Sequence, residues 1–228
     1  MNIYNKMEAK FSKYAIPNMS KYLVIIFIIG LIIFTINPMF YFKYFSLNIA
    51  ALLHGQVWRI FTFILYPPAY GTGSMFIFTF LAIYIYYSLS KSLIYVWNDF
   101  KFNFFFFGGI FWLVIIGILF FFIFRENLLL TPTYLIFSIF IAFSLTFPDT
   151  TFLFMFIFPI KAKYLALFEI IFYIFMFPNS SLSEKAAILS SFINLFIFIY
   201  LTDRTSLLIF KNDISKTLQR LKDWLTTK

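Results

Sequence analysis

The chain has 228 residues, 62% hydrophobic, 25% aromatic and 12% charged, with a net charge of +9 and a mean hydropathy of +0.90. A water-soluble domain is roughly half apolar and about a quarter charged, so this composition excludes a soluble fold and predicts an all-α polytopic membrane protein. The absence of cysteine excludes disulfides and thiolate metal sites, and the basic excess reads as attraction to anionic lipid, not to nucleic acid.

Residues 1–21 form an interfacial segment in which Lys6, Lys10 and Lys13 share one helical face before Pro17. A helix needs about 20 apolar residues to cross the hydrocarbon core. Six stretches are candidates: 22–42, 74–96, 104–124, 128–147, 163–177 (a short one) and 182–201. The first is expected to remain as a span, since it lacks a signal-peptide cleavage pattern. The loop 43–73 is long for a helix connection and too apolar for water, so it should sink into the outer leaflet, where Arg59 needs carbonyl or headgroup partners. Residues 151–158 are too short to span. Joining them to the fifth helix would bury Lys161 and Lys163, each at a cost of at least about 2.5 kcal/mol. They read as a lip or re-entrant piece, with 159–163 making the turn. Residues 203–228 form a basic tail whose Ile214, Leu218, Leu221 and Leu225 recur at helical spacing, as in a helix lying on an anionic leaflet.

With the N-terminus inside, 13 of the 18 lysines and arginines are cytoplasmic. Lys43, Arg59, Arg125 and Lys185 lie outside, and Lys91 falls within the second span. That asymmetry orients the chain, placing both termini in the cytoplasm.

Three groups of residues together resemble the rhomboid-like superfamily. The first is Gln56, Trp58, Arg59 and Thr62 in the loop, followed by Pro67; it looks like the family's membrane-embedded first-loop motif, whose core is Trp-Arg. Gly71-Thr72-Gly73 beyond it is similar to derlins, the non-proteolytic branch. The second is Leu93, Trp97, Phe102 and Asn103, which resemble the turn from the second span to the third. There Ile94 and Asn98 stand where the family pattern has glutamate and glycine. The third is Pro148, Asp149, Pro159, Lys161 and Lys163, similar to the turn between spans four and five. The opening, from Met7 to Asn18, looks like Gram-positive members, so the resemblance implies a bacterial plasma membrane and covers residues 7 to about 201. It implies a six-helix rhomboid-like bundle.

A rhomboid protease needs a serine in a Gly-x-Ser-Gly turn opening the fourth span and a histidine in the sixth. This chain has no glycine in either span, and its single histidine, His54, is in the loop; without a second histidine a metal site there is not expected. The resemblance therefore implies a pseudoprotease that binds transmembrane segments of client proteins, in membrane-protein quality control, with an ATP-dependent extraction or protease machine as partner and no cofactor. Among polar residues within the spans, Ser138 and Ser144 are expected to bond back to helix carbonyls. Asn194 is expected to bond a neighbouring helix. Glu169 is either functional or an ion partner of Lys161 and Lys163. Two other functions stay open: an intramembrane serine protease using Ser138, and a small-solute transporter or channel. Against the channel, few charges lie within the spans and no pair of broken helices is visible.

Overall fold

A computed structural model describes residues 3–69, 76–154 and 158–202. Gly71, Thr72 and Gly73, and the basic tail from residue 203, lie outside the described residues.

Helix α1 (Ile3–Phe11) and a 3-10 turn (Ser12–Tyr14) lead to α2 (Met19–Ile36). Lys6, Lys10 and Lys13 are exposed as expected, but α1 also packs on the bundle: Tyr4 is buried, with ring centroids 6.0 Å from Phe100 and 5.9 Å from Phe104. The first predicted span, 22–42, is interrupted. Asn37 accepts a hydrogen bond from the Met39 N–H at 2.9 Å, and Pro38 has no N–H to continue the helix. The chain therefore restarts as α3 (Pro38–Tyr44).

The embedded loop is built of β1 (Leu47–Asn48), α4 (Ile49–Leu53), α5 (Arg59–Thr62) and a 3-10 turn (Phe63–Leu65). Then come α6 (Phe76–Trp97) and α7 (Asp99–Phe124). Helix α7 starts earlier than the predicted 104 because the Asn98 side chain caps it, accepting from the Lys101 N–H at 2.9 Å. Phe102 and Asn103 thus sit within the helix and not in the turn.

The predicted fourth span, 128–147, is shorter than expected: Leu129–Leu130 form β2, antiparallel to β1, and α8 runs only from Thr133 to Thr146. At 1.5 Å per residue its 14 residues cover about 21 Å of a core about 30 Å thick. The lip expected at 151–158 is half of an antiparallel hairpin, β3 (Thr151–Phe154) with β4 (Phe158–Lys161), in which Thr151 faces Lys161. Helix α9 (Ala162–Met176) continues through a 3-10 turn (Phe177–Asn179), and α10 (Leu182–Thr202) ends the described chain.

Five helical stretches among the described residues are long and apolar enough to cross a membrane, and α8 is the shorter sixth. The chain is an all-α membrane protein. Successive helices alternate in direction. At one end Asn18 N–H donates to Asp99 at 2.7 Å, and Trp97, Lys101, Thr146 and Thr202 surround one small cavity. At the other, β1 pairs β2, and the Leu129 N–H donates to Ser183 Oγ at 3.2 Å.

Helix α8 is the centre of the bundle, with Leu135, Ile136, Ile139, Ile141, Ala142 and Phe143 all buried. Between lipid-solvated helices there is little hydrophobic drive to associate, so close packing of small residues matters more. The most extensive contact is α7 with α10, where Gly108 and Gly109 both face Asn194. A Cβ on Gly108 would lie 2.9 Å from Asn194 Oδ1. On α2, Gly30 lets the Leu65 carbonyl approach so closely that any Cβ would coincide with it.

Candidate functional site

The embedded loop is held by side chains bonded to backbone. Helix α3 ends with carbonyls that have no partner within the helix. Arg59, only 5% exposed, donates from Nη2 to Lys43 O at 2.6 Å, from Nη1 to Ser46 O at 2.7 Å and from Nε to Gln56 Oε1 at 2.8 Å. Trp58 Nε1 donates to Tyr44 O at 3.3 Å, and Thr62 Oγ1 to Phe45 O at 3.0 Å. Four consecutive carbonyls, 43 to 46, are thus each capped by one of three side chains from α5 and its first turn. Tyr41, missed in the sequence, completes the knot by donating to Phe63 O at 2.8 Å. Among the described residues no carboxylate pairs with Arg59; its charge is neutralised by carbonyl dipoles. The four loop-motif residues therefore converge, and what they build is a scaffold. His54 stands apart, exposed, with Nδ1 2.7 Å from Ala50 O.

The turn from α6 to α7 anchors the N-terminal segment. Asn103 Nδ2 donates to Ile16 O at 3.0 Å, and Asn103 Oδ1 accepts from the Ile16 N–H at 3.2 Å. Leu93 and Phe102 are fully buried, and the Trp97 ring lies 4.7 Å from that of Phe198 on α10. Where the resemblance expects glycine, Asn98 adopts φ 72° and ψ 167°.

At the inner turn Asp149 takes both lysines, Lys161 at 2.8 Å and Lys163 at 3.4 Å. Their hydrogen bonds, Lys161 first, hold its carboxyl below the ordinary carboxylate value. Pro148 O accepts from the Lys163 N–H at 3.3 Å, and Pro159 pairs with Leu153 across the hairpin.

The polar groups of the spans separate into packing and site residues. Ser138 Oγ donates to Leu135 O at 2.6 Å and Ser191 Oγ to Ala187 O at 2.9 Å, each within its own helix. Both line one small cavity between α8 and α10. Ser144, expected to bond back in the same way, does not: it is buried, and its hydroxyl has no hydrogen-bond partner among the described residues. Asn194 Nδ2 donates across helices to Phe105 O at 3.1 Å.

Glu169 is different. It does not join the two lysines; Asp149 holds them at the start of α9. Glu169 lies in the middle of that helix, seven residues after Ala162. Its Oε1 accepts from Tyr173 at 3.1 Å, while Oε2 is buried without a hydrogen-bond partner among the described residues.

Glu169 opens onto a cleft of about 500 Å³ between α6 and α9, floored by Phe137 and Phe140 of α8. Ala82, Ile85, Tyr86 and Leu89 form one wall, and Leu165, Phe168, Phe172 and Tyr173 the other; Pro68 and Ala69 of the embedded loop close its outer end. Helix α8 packs on both α6 and α9, whereas α6 and α9 do not pack along their length. The cleft opens between the two helices, and except for Glu169 and two tyrosines its lining is apolar. Compared with known proteins, the chain matches no family model, no curated protein and no solved structure. Among the described residues no three His, Asp or Glu side chains cluster to hold a metal ion.

Proposed function

We propose that this chain is a rhomboid-like, six-crossing protein of a bacterial plasma membrane with both termini cytoplasmic, which binds transmembrane segments of client proteins in its lateral cleft without cleaving them. One observation carries this reading: the gap between α6 and α9, open to the bilayer and lined by side chains a lipid-soluble helix can pack against. The alternating helices support the six crossings. The exposed Lys6, Lys10, Lys13, Lys21 and Lys161 and the half-buried Lys101 gather at one end, as the positive-inside rule requires of a cytoplasmic face. The fourth helix supports a binding role over a catalytic one, because the Ser138 hydroxyl is bound to its own helix and no base is there to activate it. Handing clients to an ATP-dependent extraction or protease machine is part of the same proposal.

Photocrosslinking amino acids at Ile85 and Phe172, on the two cleft walls, should capture membrane-spanning segments of other proteins in native membranes. The same group at Ile29, on the outward face of α2, should not. Equal capture from all three sites would remove the basis for the reading. Fluorophosphonate labelling that disappears in Ser138→Ala would replace it with a protease.

A further inference from the structure

Resting on that client-binding reading, we propose that Glu169 makes the cleft selective for transmembrane helices carrying a lysine or arginine near mid-membrane. An acid in the middle of a span is costly unless it pairs. Here one carboxylate oxygen is satisfied by Tyr173, and the other, Oε2, is buried with no hydrogen-bond partner among the described residues. Among the described residues the cleft lining contains no basic group that could pair with it. Lys161 and Lys163 bind Asp149, and Lys91 is on a different face of α6, its Nζ 5.7 Å from the Tyr87 ring centre. Around the carboxylate the lining is aromatic, with Tyr86, Phe137, Phe140, Phe168 and Phe172, and ring faces attract cations.

A cation brought to this depth on a client helix would exchange a costly position in lipid for a carboxylate and ring faces. An acidic client brings no cation for Glu169 to pair with, which makes the preference selective and not merely adhesive. Lipid is the poorer occupant. Acyl chains have no donor for Oε2, and the cations of headgroups stay at the interface, about 10 Å from Glu169 measured along α9.

The test uses the full chain in proteoliposomes with the photocrosslinker at Ile85 and, as control, at Ile29. Three single-span leucine–alanine helices are offered, differing only in a central Leu, Lys or Asp. Capture of the Lys helix from Ile85 should exceed that of the Leu helix by about five- to thirtyfold, the range expected for one intramembrane polar contact. The Asp helix should show no such gain. In Glu169→Gln the Lys helix should drop to the level of the Leu helix captured by the same variant, while capture from Ile85 still exceeds capture from Ile29, which reports an intact cleft.

Equal capture of Lys and Leu helices, or a Lys preference that survives Glu169→Gln, would overturn the selectivity and leave client binding standing. The Asp helix captured as well as the Lys helix would do the same without any mutation. Capture from Ile85 no better than from Ile29 for every helix would overturn both.

Discussion

An arginine in an apolar loop usually escapes by extending its head to water. Arg59 does the opposite: its planar fork spans three acceptors, two of them backbone carbonyls at and just beyond the end of α3. A lysine keeps the charge but cannot match that geometry. Hydrogen bonds to charged groups are worth about 1.5–3 kcal/mol, so Arg59→Ala should destabilise the protein by about 3 kcal/mol and Arg59→Lys by roughly half as much. Thermal unfolding in detergent micelles checks the order; a lysine variant as stable as the wild type would show that charge alone suffices. Asn98 gives the opposite sign. Its φ of 72° with ψ 167° belongs to a region that suits glycine and costs other residues about 1–3 kcal/mol, while glycine at a helix N-cap loses only a few tenths. Asn98→Gly should therefore raise stability by about 1 kcal/mol in the same assay. Asn98→Ala, which keeps the strain and loses the cap, should lower it by about as much.

Between helices, the contact of α7 with α10 depends on Asn194 filling the space that Gly108 leaves. Adding a methyl at Gly108 brings it to 2.9 Å from Asn194 Oδ1, and overpacking of this kind costs about 1–3 kcal/mol. Gly108→Ala should be destabilising in the native background but close to neutral once Asn194→Ala has removed the obstacle. Unfolding free energies of the two single variants and the double variant decide it: additivity within about 0.5 kcal/mol would mean the two positions do not touch. This interface also shows what the sequence conceals. Six apolar stretches are legible because hydrocarbon thickness demands them, and the need of Arg59 for carbonyls is legible from its surroundings. The shortness of α8 is not, because Leu129 and Leu130 are as apolar as the helix they precede; their strand is decided by Leu47 and Asn48, far away in the chain. Helix α7 starts early for the converse reason, since Asp99 and Lys101 look like a loop by hydropathy but are the first turn of a capped helix. The glycines at the closest helix–helix contact lie in the third span, α7, whereas the family resemblance directs attention to the fourth and sixth. Glu169 is near Lys161 and Lys163 in sequence, yet the helix carries it inward while Asp149 takes both lysines at the turn.

At the scale of the whole molecule, the helices are not equally held. Helix α8 is enclosed on most sides, and α7 and α10 share the largest interface, whereas α9 packs on the other long helices mainly through α8. Only Ala162, Ala166 and Tyr173 of α9 are buried, and Phe168, Ile171, Phe172, Ile174 and Phe175 are exposed. An element with few buried contacts opens at low free energy, so α9 is the less firmly held wall of the cleft and, on the proposed function, the one that moves to admit a client helix. Amide exchange in proteoliposomes should accordingly be faster in α9 than in α7, α8 or α10. Because the chain has no cysteine, the wall can be tied without background. In Ala82→Cys/Phe172→Cys, a short bismaleimide should join α6 to α9 across the cleft. It should slow exchange in α9 and lower capture of model helices from Ile85 by about tenfold, equivalent to about 1.4 kcal/mol; a longer linker should restore both. If the short tie forms and capture is unchanged, clients do not enter between α6 and α9, and the cleft is a surface groove with no gate.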